Sequence, residues 1–351
     1  MRSDQQASTV PAGGKLQTST TTEESPVVKF DILLHNVDND DDDEYQYQPG
    51  DRLRGDIILV VSSPLQVSSV AVELRGEASA TWKAADKHTD RLRKASATTA
   101  ANGGEACSRW YEASELYIDE RNDILLDDVL QPGEHRFPMS FQLPAGLPTS
   151  FRGKFGGVSY VLRASFVDQT SMLASRSLVA SRYVVNWPIV VRRPSSQDAP
   201  SQVHPVTVKL QRRLFASAPF ICASGLLRVD FTVAGGTAYL LGDDIHVRVR
   251  LINDSPRVVV CLDVALVQQC EFRAQRARRR CVALVSRRRD TDARLTPVGY
   301  ADTARCTNFR LGVPSDLPES RLDGCDIIEV SYELRFAVKV VWFLLLISAS
   351  R

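Results

Sequence analysis

The chain has 351 residues, of which 44% are hydrophobic and 24% charged, and its formal net charge is +1. This composition is typical of a folded protein and excludes a chain that is disordered throughout, while the near-neutral charge excludes a general attraction to nucleic acid. Because single domains cluster at roughly 100 to 150 residues, the length predicts two domains.

The start of the chain and its cysteines indicate the compartment. Residues 1–26 are polar and rich in Ser, Thr and Gln, so we predict a disordered segment. No apolar stretch follows a basic start, which argues against a secretory signal and favours a cytosolic protein. The seven cysteines include no Cys-x-x-Cys pair, and we expect reduced, mostly buried thiols.

Apolar and polar residues alternate in both halves, which predicts half-buried β-strands. In chain order the alternating runs are 70–74, 158–166, 227–233, 245–251 and 328–338. Helical periodicity does not persist, and turn formers punctuate the runs at short intervals. The predicted fold class is therefore all-β, with two tandem immunoglobulin-like β-sandwich domains of antiparallel sheets.

The chain repeats itself at a spacing of about half its length, as duplicated domains do. Three segments of the first half have counterparts in the same order in the second half. The pairs are Tyr47–Leu53 with Tyr239–Ile245, Leu143–Ser150 with Val313–Ser320, and Tyr160–Ala164 with Tyr332–Phe336.

Polar stretches divide the chain into its predicted parts. We place a proline-bearing linker at residues 192–202, between a first domain at 27–191 and a second domain at 203–340. A second polar stretch, 84–105, is rich in Ala, Thr and basic residues and is predicted to be a long mobile loop.

The last residues, 341–351, form an apolar chain end that departs from the alternation. The apolar run 340–347 is shorter than the about 20 residues that a membrane-spanning helix needs, which disfavours a tail anchor. A buried last strand and an abnormal or truncated chain end are the two explanations that stay open.

A series of motifs in both halves has the order of a known family. In the first half these are Tyr47-x-Pro-Gly50-Asp51, Val72-Glu-Leu-Arg-Gly76, Gly133-Glu-His-Arg-Phe137-Pro138, Leu143-Pro144-Ala-Gly-Leu147-Pro148, Phe151-Arg-Gly153-Lys-Phe-Gly156 and Tyr160. In the second half they are Gly242-Asp-Asp-Ile245, Asn253-Asp-Ser255 and Ile327-Ile-Glu-Val330-Ser-Tyr332. From about residue 27 to 340 the chain resembles the N-terminal and C-terminal domains of the α-arrestins, or arrestin domain-containing proteins.

These motif residues are scaffold residues, for physical reasons that do not depend on the family. Pro144 and Pro148 cannot donate to a sheet ladder, so they favour an extended connector between sheets. Gly153 and Gly156 permit the tight backbone of a turn into the strand at 158–166. None of them is interpreted as catalytic.

The resemblance implies a non-enzymatic adaptor in protein transport. Such a protein links transmembrane cargo to endocytosis and endosomal sorting, and acts in the cytoplasm with peripheral association at the plasma membrane or endosomes. Family members recruit HECT-type ubiquitin ligases through Pro-Pro-x-Tyr motifs. All seventeen prolines of this chain are isolated, so these 351 residues contain no such motif. A retromer-like coat or scaffold subunit is the alternative, and an enzyme on a sandwich scaffold is a third hypothesis.

Arginines form the most suggestive cluster outside the scaffold. If they face each other across one hairpin, they would attract phosphorylated tails or anionic lipid headgroups, because guanidinium groups pair with phosphate through two hydrogen bonds. The equally weighted alternative is a charged sheet edge that discourages aggregation. The residues are Arg276, Arg278, Arg279, Arg280, Arg287, Arg288 and Arg289.

The remaining polar features give weaker signals. The acidic run 38–44 lacks the spacing of a calcium-binding loop and is predicted to be a solvated loop. Ser195 follows Arg192-Arg-Pro and resembles a phosphorylation site in a mobile linker. The five histidines form no catalytic or metal-binding pair, and His246 is expected to face solvent. We predict no catalytic residues, no metal site and no cofactor.

Overall fold

The computed structural model describes residues 25–35, 46–85, 108–126, 129–168, 181–193, 204–216, 223–236, 239–291, 304–341 and, by backbone alone, 343–350. The predicted disordered segment up to residue 24, the acidic run 38–44, most of the loop 84–105 and Ser195 lie outside the described residues. The described residues contain no helix, so the predicted all-β class is confirmed. Accordingly, no helix that is apolar and long enough to span a membrane occurs in the described ranges.

Two compact units make up the chain. One contains Met1–Arg193 together with the short segments Arg273–Ala277 and Asp323–Ile328. The other contains Pro194–Phe272, Arg278–Leu322 and Glu329–Arg351.

The first unit contains nine strands in two sheets. The strands are β1 (Val27–His35), β2 (Gln46–Tyr47), β3 (Arg52–Val61), β4 (Ser69–Ala85), β5 (Ser108–Leu125), β6 (Gly133–Gln142), β7 (Phe151–Gly153), β8 (Gly156–Asp168) and β9 (Ser181–Val191). One sheet has the order β1-β3-β6, and the other has the order β2-β9-β8-β4-β5 with β7 paired to β8. All pairs are antiparallel except β2 with β9.

The core of the first unit lies between these sheets. Alternation places one face of each strand inward, and Leu74 of β4 and Leu162 of β8 are fully buried. Phe30 of β1 meets Phe166 of β8 edge-on, with ring centroids 4.8 Å apart. This aromatic contact joins the two sheets and is typical of a sandwich core.

The second unit repeats the architecture with eight strands. They are β10 (Val206–Phe215), β11 (Ser224–Val233), β12 (Asp244–Asn253), β13 (Val259–Ala274), β14 (Ala277–Asp290), β15 (Ala304–Gly312), β16 (Ile328–Val340) and β17 (Phe343–Ser350). The sheet orders are β10-β11-β12-β15 and β14-β13-β16-β17. Phe231 and Phe336 pack between the two sheets, with ring centroids 4.1 Å apart.

The apolar chain end forms a strand. The backbone of β17 pairs antiparallel with β16, so that Val338 lies opposite Leu345 and Phe336 opposite Ile347. This pairing continues the sheet through the segment where the sequence loses its alternation.

One turn recurs in both units with the same hydrogen bonds. The Asp51 carboxylate accepts from the Gln48 amide at 2.7 Å, and the Asp243 carboxylate accepts from the Leu240 amide at 2.8 Å. The glycine before each aspartate has a positive φ, +94° at Gly50 and +87° at Gly242. The similarity of the two sequence segments therefore extends to the geometry of the turn that feeds β3 and β12.

Candidate functional site

The predicted arginine patch lies on a hairpin at the edge of a sheet. Strands β13 and β14 are joined by a two-residue turn, Gln275 and Arg276, and β14 is the edge strand of its sheet among the described strands. Both turn residues have positive φ, 48° and 66°. The other six predicted patch residues are on β14 itself, and all are exposed.

The two arginine clusters do not face each other across the hairpin. Arg278–Arg280 and Arg287–Arg289 lie near opposite ends of one strand. At about 3.3 Å per residue, Arg278 and Arg288 are about 33 Å apart along β14. The condition for one compact phosphate-binding patch is therefore not met, and each cluster is a separate group of cations.

A buried glutamate pairs with the first cluster. Glu271 of β13 accepts from Nε of Arg280 at 2.6 Å and from Nη1 of Arg278 at 3.2 Å. The carboxylate side chain is only 8% exposed, whereas both arginines are largely exposed. Glu271 thus offsets part of the positive charge and orders the two guanidinium groups.

An aspartate has the same role at the second cluster. Asp263 of β13 accepts from Nε of Arg287 at 2.8 Å and lies 3.4 Å from Arg289. The hydrogen bond from Arg287 is the main cause that lowers the pKa of Asp263 below its usual range. The carboxylate therefore stays ionised, which keeps this ion pair in place at neutral pH.

The middle of β14 is apolar and exposed. Val282 is 49% exposed and Leu284 is 58% exposed, whereas Val285 packs against the core of the second unit. An edge strand presents backbone donors and acceptors to a further strand. With cations at both ends and apolar side chains between them, β14 has the chemistry to bind an extended anionic peptide.

The scaffold residues occupy structural positions. Tyr160 is 1% exposed and donates to the Pro148 carbonyl at 2.7 Å. A side chain at Gly76 would meet the Tyr160 ring at 2.4 Å, so only glycine fits there. The remaining scaffold residues lie in strands, turns and connectors, at Tyr47 in β2, Pro138 in β6, Pro144 between β6 and β7, Gly153 in β7, Gly156 in β8 and Tyr332 in β16.

The cysteines differ from the sequence prediction in their burial. The five that the structure describes are free, but only Cys270 is buried and Cys306 is exposed. Cys306 lies on β15, where it pairs with Arg250 of β12 in the sheet register. Alternation would have placed it correctly, because a strand that buries Phe309 and Leu311 turns Cys306 outward.

No metal centre is formed by the described side chains, since nowhere in those ranges do three or more His, Cys, Asp or Glu residues come together. His246 lies on the exposed face of β12.

Sequence reasoning missed two sets of residues. The carboxylates Asp263 and Glu271 gave no signal, because their pairing depends on the register of the hairpin. The arginines Arg248 and Arg250 were interpreted only as the polar face of a strand, although a run of outward cations is itself a signal for an anionic partner.

Comparisons with known proteins agree with the geometry of both units. The family model described as "Arrestin (or S-antigen), N-terminal domain" matches residues 36–183, and the model "Arrestin (or S-antigen), C-terminal domain" matches residues 224–349. The two matches occur in tandem.

Several curated proteins are similar over long or short stretches. "Arrestin domain-containing protein 1" of Rattus norvegicus is 25% identical over 84% of this chain, which spans 58% of the length of that relative. "Arrestin domain-containing protein 5" of Homo sapiens is 22% identical over 85% of this chain and 80% of its own length. "Arrestin domain-containing protein 4" of Homo sapiens is 34% identical over 34% of this chain and 27% of its own length.

Proposed function

The chain belongs to the arrestin family of arrestin domain-containing proteins, and from that premise we propose that it is a non-enzymatic adaptor in protein transport. It links membrane cargo, such as receptors and transporters, to endocytosis and endosomal sorting. The family supports an adaptor role in general, and the cargo-sorting role is the specific proposal. In this proposal the protein acts in the cytoplasm and associates peripherally with the plasma membrane or endosomes.

The observation that carries this proposal is the tandem pair of arrestin-domain matches across residues 36–349. Both units are β-sandwiches, and such a scaffold offers sheet edges and faces to partners. An adaptor needs binding surfaces held in a fixed geometry, which sandwiches of this kind provide.

Within this role, β14 is the proposed cargo contact. We assign to it an acidic or phosphorylated segment of a cargo tail, bound in extended form along the strand. Val282 and Leu284 would contact apolar side chains of the segment, and Arg276 and Arg288 would pair with its charged groups. Glu271 and Asp263 hold Arg278, Arg280, Arg287 and Arg289, so Arg276 at the turn and Arg288 near the far end are the cations to test.

Recruitment of HECT-type ubiquitin ligases is a further part of the proposal. The given sequence contains no Pro-Pro pair, so a Pro-Pro-x-Tyr motif does not lie within these 351 residues.

The test is to measure the surface proteome of cells before and after removal of the protein, with re-expression of the wild type and of the R276E/R288E variant. We expect a discrete set of membrane proteins to accumulate at the surface, and to return to normal with the wild type but not with the variant. An unchanged surface proteome contradicts the sorting role.

The retromer-like alternative gives a different outcome in purification. A coat or scaffold subunit would co-purify in a stable complex of fixed stoichiometry. Mutation of the subunit would then abolish that complex rather than cargo binding. A monomeric protein that binds tail peptides favours the adaptor.

A further inference from the structure

We propose that the outward face of the sheet β10-β11-β12-β15 docks on a membrane surface that contains anionic lipids. This surface is separate from the β14 arginines, and the proposal does not depend on cargo binding. Its centre is formed by Arg248 and Arg250 of β12, and Lys209 of β10 lies two strands away in the same row as Arg250.

Alternation along β12 builds this face. Val247, Val249 and Leu251 are at most 1% exposed and point into the core of the second unit. The residues between them, Arg248 and Arg250, must then point outward, and both are exposed. Burial of one face therefore fixes the direction of the cations on the other.

Neighbouring strands add polar groups at matching positions. Arg248 lies opposite Thr232 of β11 and Asn308 of β15. Both side chains have polar hydrogens that can be donated to a phosphate.

The next row of the face adds a third cation. Arg250 lies opposite Asp230 of β11, and Asp230 in turn lies opposite Lys209 of β10. Two cations therefore flank the one carboxylate of this row. Arg213 of β10 is also exposed on the same side of the strand.

The central cations of this face are unpaired. Within the described part of the chain, the side chains of Arg248, Arg250 and Lys209 make no ion pair or hydrogen bond, although Asp230 lies in the same row. At the rim, by contrast, Arg228 pairs with Asp254 and Arg310 pairs with Asp244. The charge that is left for a partner is therefore concentrated in the middle.

The outward face of the larger sheet in the first unit shows what a self-neutralised face looks like. There Arg75 lies 2.8 Å from Glu77, and Arg121 lies 2.9 Å from both Glu73 and Asp123. Each of these arginines has a carboxylate on its own sheet. The contrast indicates that the unpaired cations of the β10-β11-β12-β15 face are available to an external anion.

The shape of the face favours a membrane over a peptide. Strand β12 lies inside its sheet, between β11 and β15, so its backbone groups are already paired and no strand can be added there. Side chains two residues apart on a strand are separated by about 7 Å, and strands by about 5 Å, which gives a lattice of cations standing out from a broad sheet. A layer of lipid phosphates is the anionic partner that matches such a lattice.

The test is sedimentation of the full chain with vesicles of phosphatidylcholine, with and without phosphatidylserine. We expect the wild type to bind only the vesicles that contain phosphatidylserine, and to be released by added salt. The R248E/R250E variant is expected to bind at least about thirtyfold more weakly, which corresponds to ~1 kcal/mol for each of the two lost cations before the added carboxylates repel the lipid.

The chain offers a matched control. Arg52 and Arg54 are exposed, lie two residues apart on β3 of the first unit, and their R52E/R54E variant changes the net charge by the same amount. It should bind within about twofold of the wild type. A neutral variant, R248Q/R250Q, should lose most of the binding with less change to the strand, and circular dichroism checks that each variant is folded.

Four results would overturn the proposal. One is that R248E/R250E and R248Q/R250Q both bind the vesicles as tightly as the wild type. Another is that R52E/R54E loses as much vesicle binding as R248E/R250E, which would indicate a general charge effect. A third is loss by R276E/R288E alone, which would place the lipid contact on β14. The fourth is binding to phosphorylated peptides but not to vesicles.

Discussion

The phenol oxygen of Tyr332 lies 2.6 Å from the carbonyl oxygen of Pro318, and donates a hydrogen bond to it. The same bond joins Tyr160 to Pro148 in the first unit, at 2.7 Å. In both units a tyrosine in a long strand thus forms a hydrogen bond to the proline-bearing connector that precedes that strand. Burial raises the pKa of Tyr160 and raises that of Tyr332 to about 12, so both phenols remain protonated donors at neutral pH.

The first prediction concerns these two tyrosines. Tyr160→Phe and Tyr332→Phe should each lower the free energy of unfolding by about 1 to 2 kcal/mol, because each leaves a proline carbonyl without its donor. Urea denaturation at neutral pH measures the loss. Tyr160 is the more deeply buried of the two tyrosines, so its substitution is the stricter test. If Tyr160→Phe is as stable as the wild type, the hydrogen bond does not stabilise the connector.

The second prediction concerns the repeated turn. Gly50→Ala and Gly242→Ala should each cost about 1 to 2 kcal/mol, since both backbones are left-handed. A new Cβ would meet nothing within 4 Å at either position, so the cost comes from the backbone conformation alone. The rate of hydrogen–deuterium exchange in β3 and β12 measures the local effect of each substitution.

Gly146→Ala is the control for the turn glycines. A Cβ there also meets nothing within 4 Å, but the backbone does not have a positive φ. This variant should leave exchange in β3 and β12 unchanged. Equal effects of all three substitutions would contradict the conformational explanation.

The third prediction concerns thiol reactivity. Cys306 is exposed, whereas Cys270 is 4% exposed and burial raises the pKa of its thiol. Maleimide should therefore label Cys306 at least about tenfold faster than Cys270 in the native protein, because the thiolate is the nucleophile. Mass spectrometry of labelled peptides gives both rates. In urea the two rates should converge, and equal rates without urea would contradict the burial of Cys270.

The sequence predicted the strands well and the arginine hairpin poorly, for one physical reason. Alternation is a local signal, so β12 and β16 could be located from their own residues. The turn before β14 consists of Gln275 and Arg276, which adopt positive φ without being glycine or asparagine. Turn chemistry therefore gave no signal there. The sequence left open that the two arginine clusters face each other across one hairpin, although the stretch 281–286 between them is the middle of one strand.

The same limit explains why the carboxylates of the candidate site were missed. Glu271 meets Arg280 only because the turn lies at 275–276, which sets the register of β13 against β14. A register shift of one residue would turn Glu271 to the other face. Such pairings between strands need the position of the turn, which the residues around it did not reveal.

The last prediction uses the pH dependence of Asp263. Its pKa is lowered in the folded protein, so the ion pair with Arg287 stabilises the fold above the unfolded value and is lost as the pH falls through the folded value. Asp263→Asn should therefore lower the free energy of unfolding by about 1 kcal/mol at pH 7, with the exposure of Arg287 limiting the size. The difference from the wild type should shrink towards about pH 3, which lies below the carboxyl pKa of about 3.9 of an aspartate in an unfolded chain. Urea denaturation at both values measures it, with Asp230→Asn as the control, because Asp230 has no ion-pair partner among the described residues. A gap between Asp263→Asn and the wild type that stays constant from pH 7 to pH 3 would mean that the carboxylate acts through packing and not through its charge.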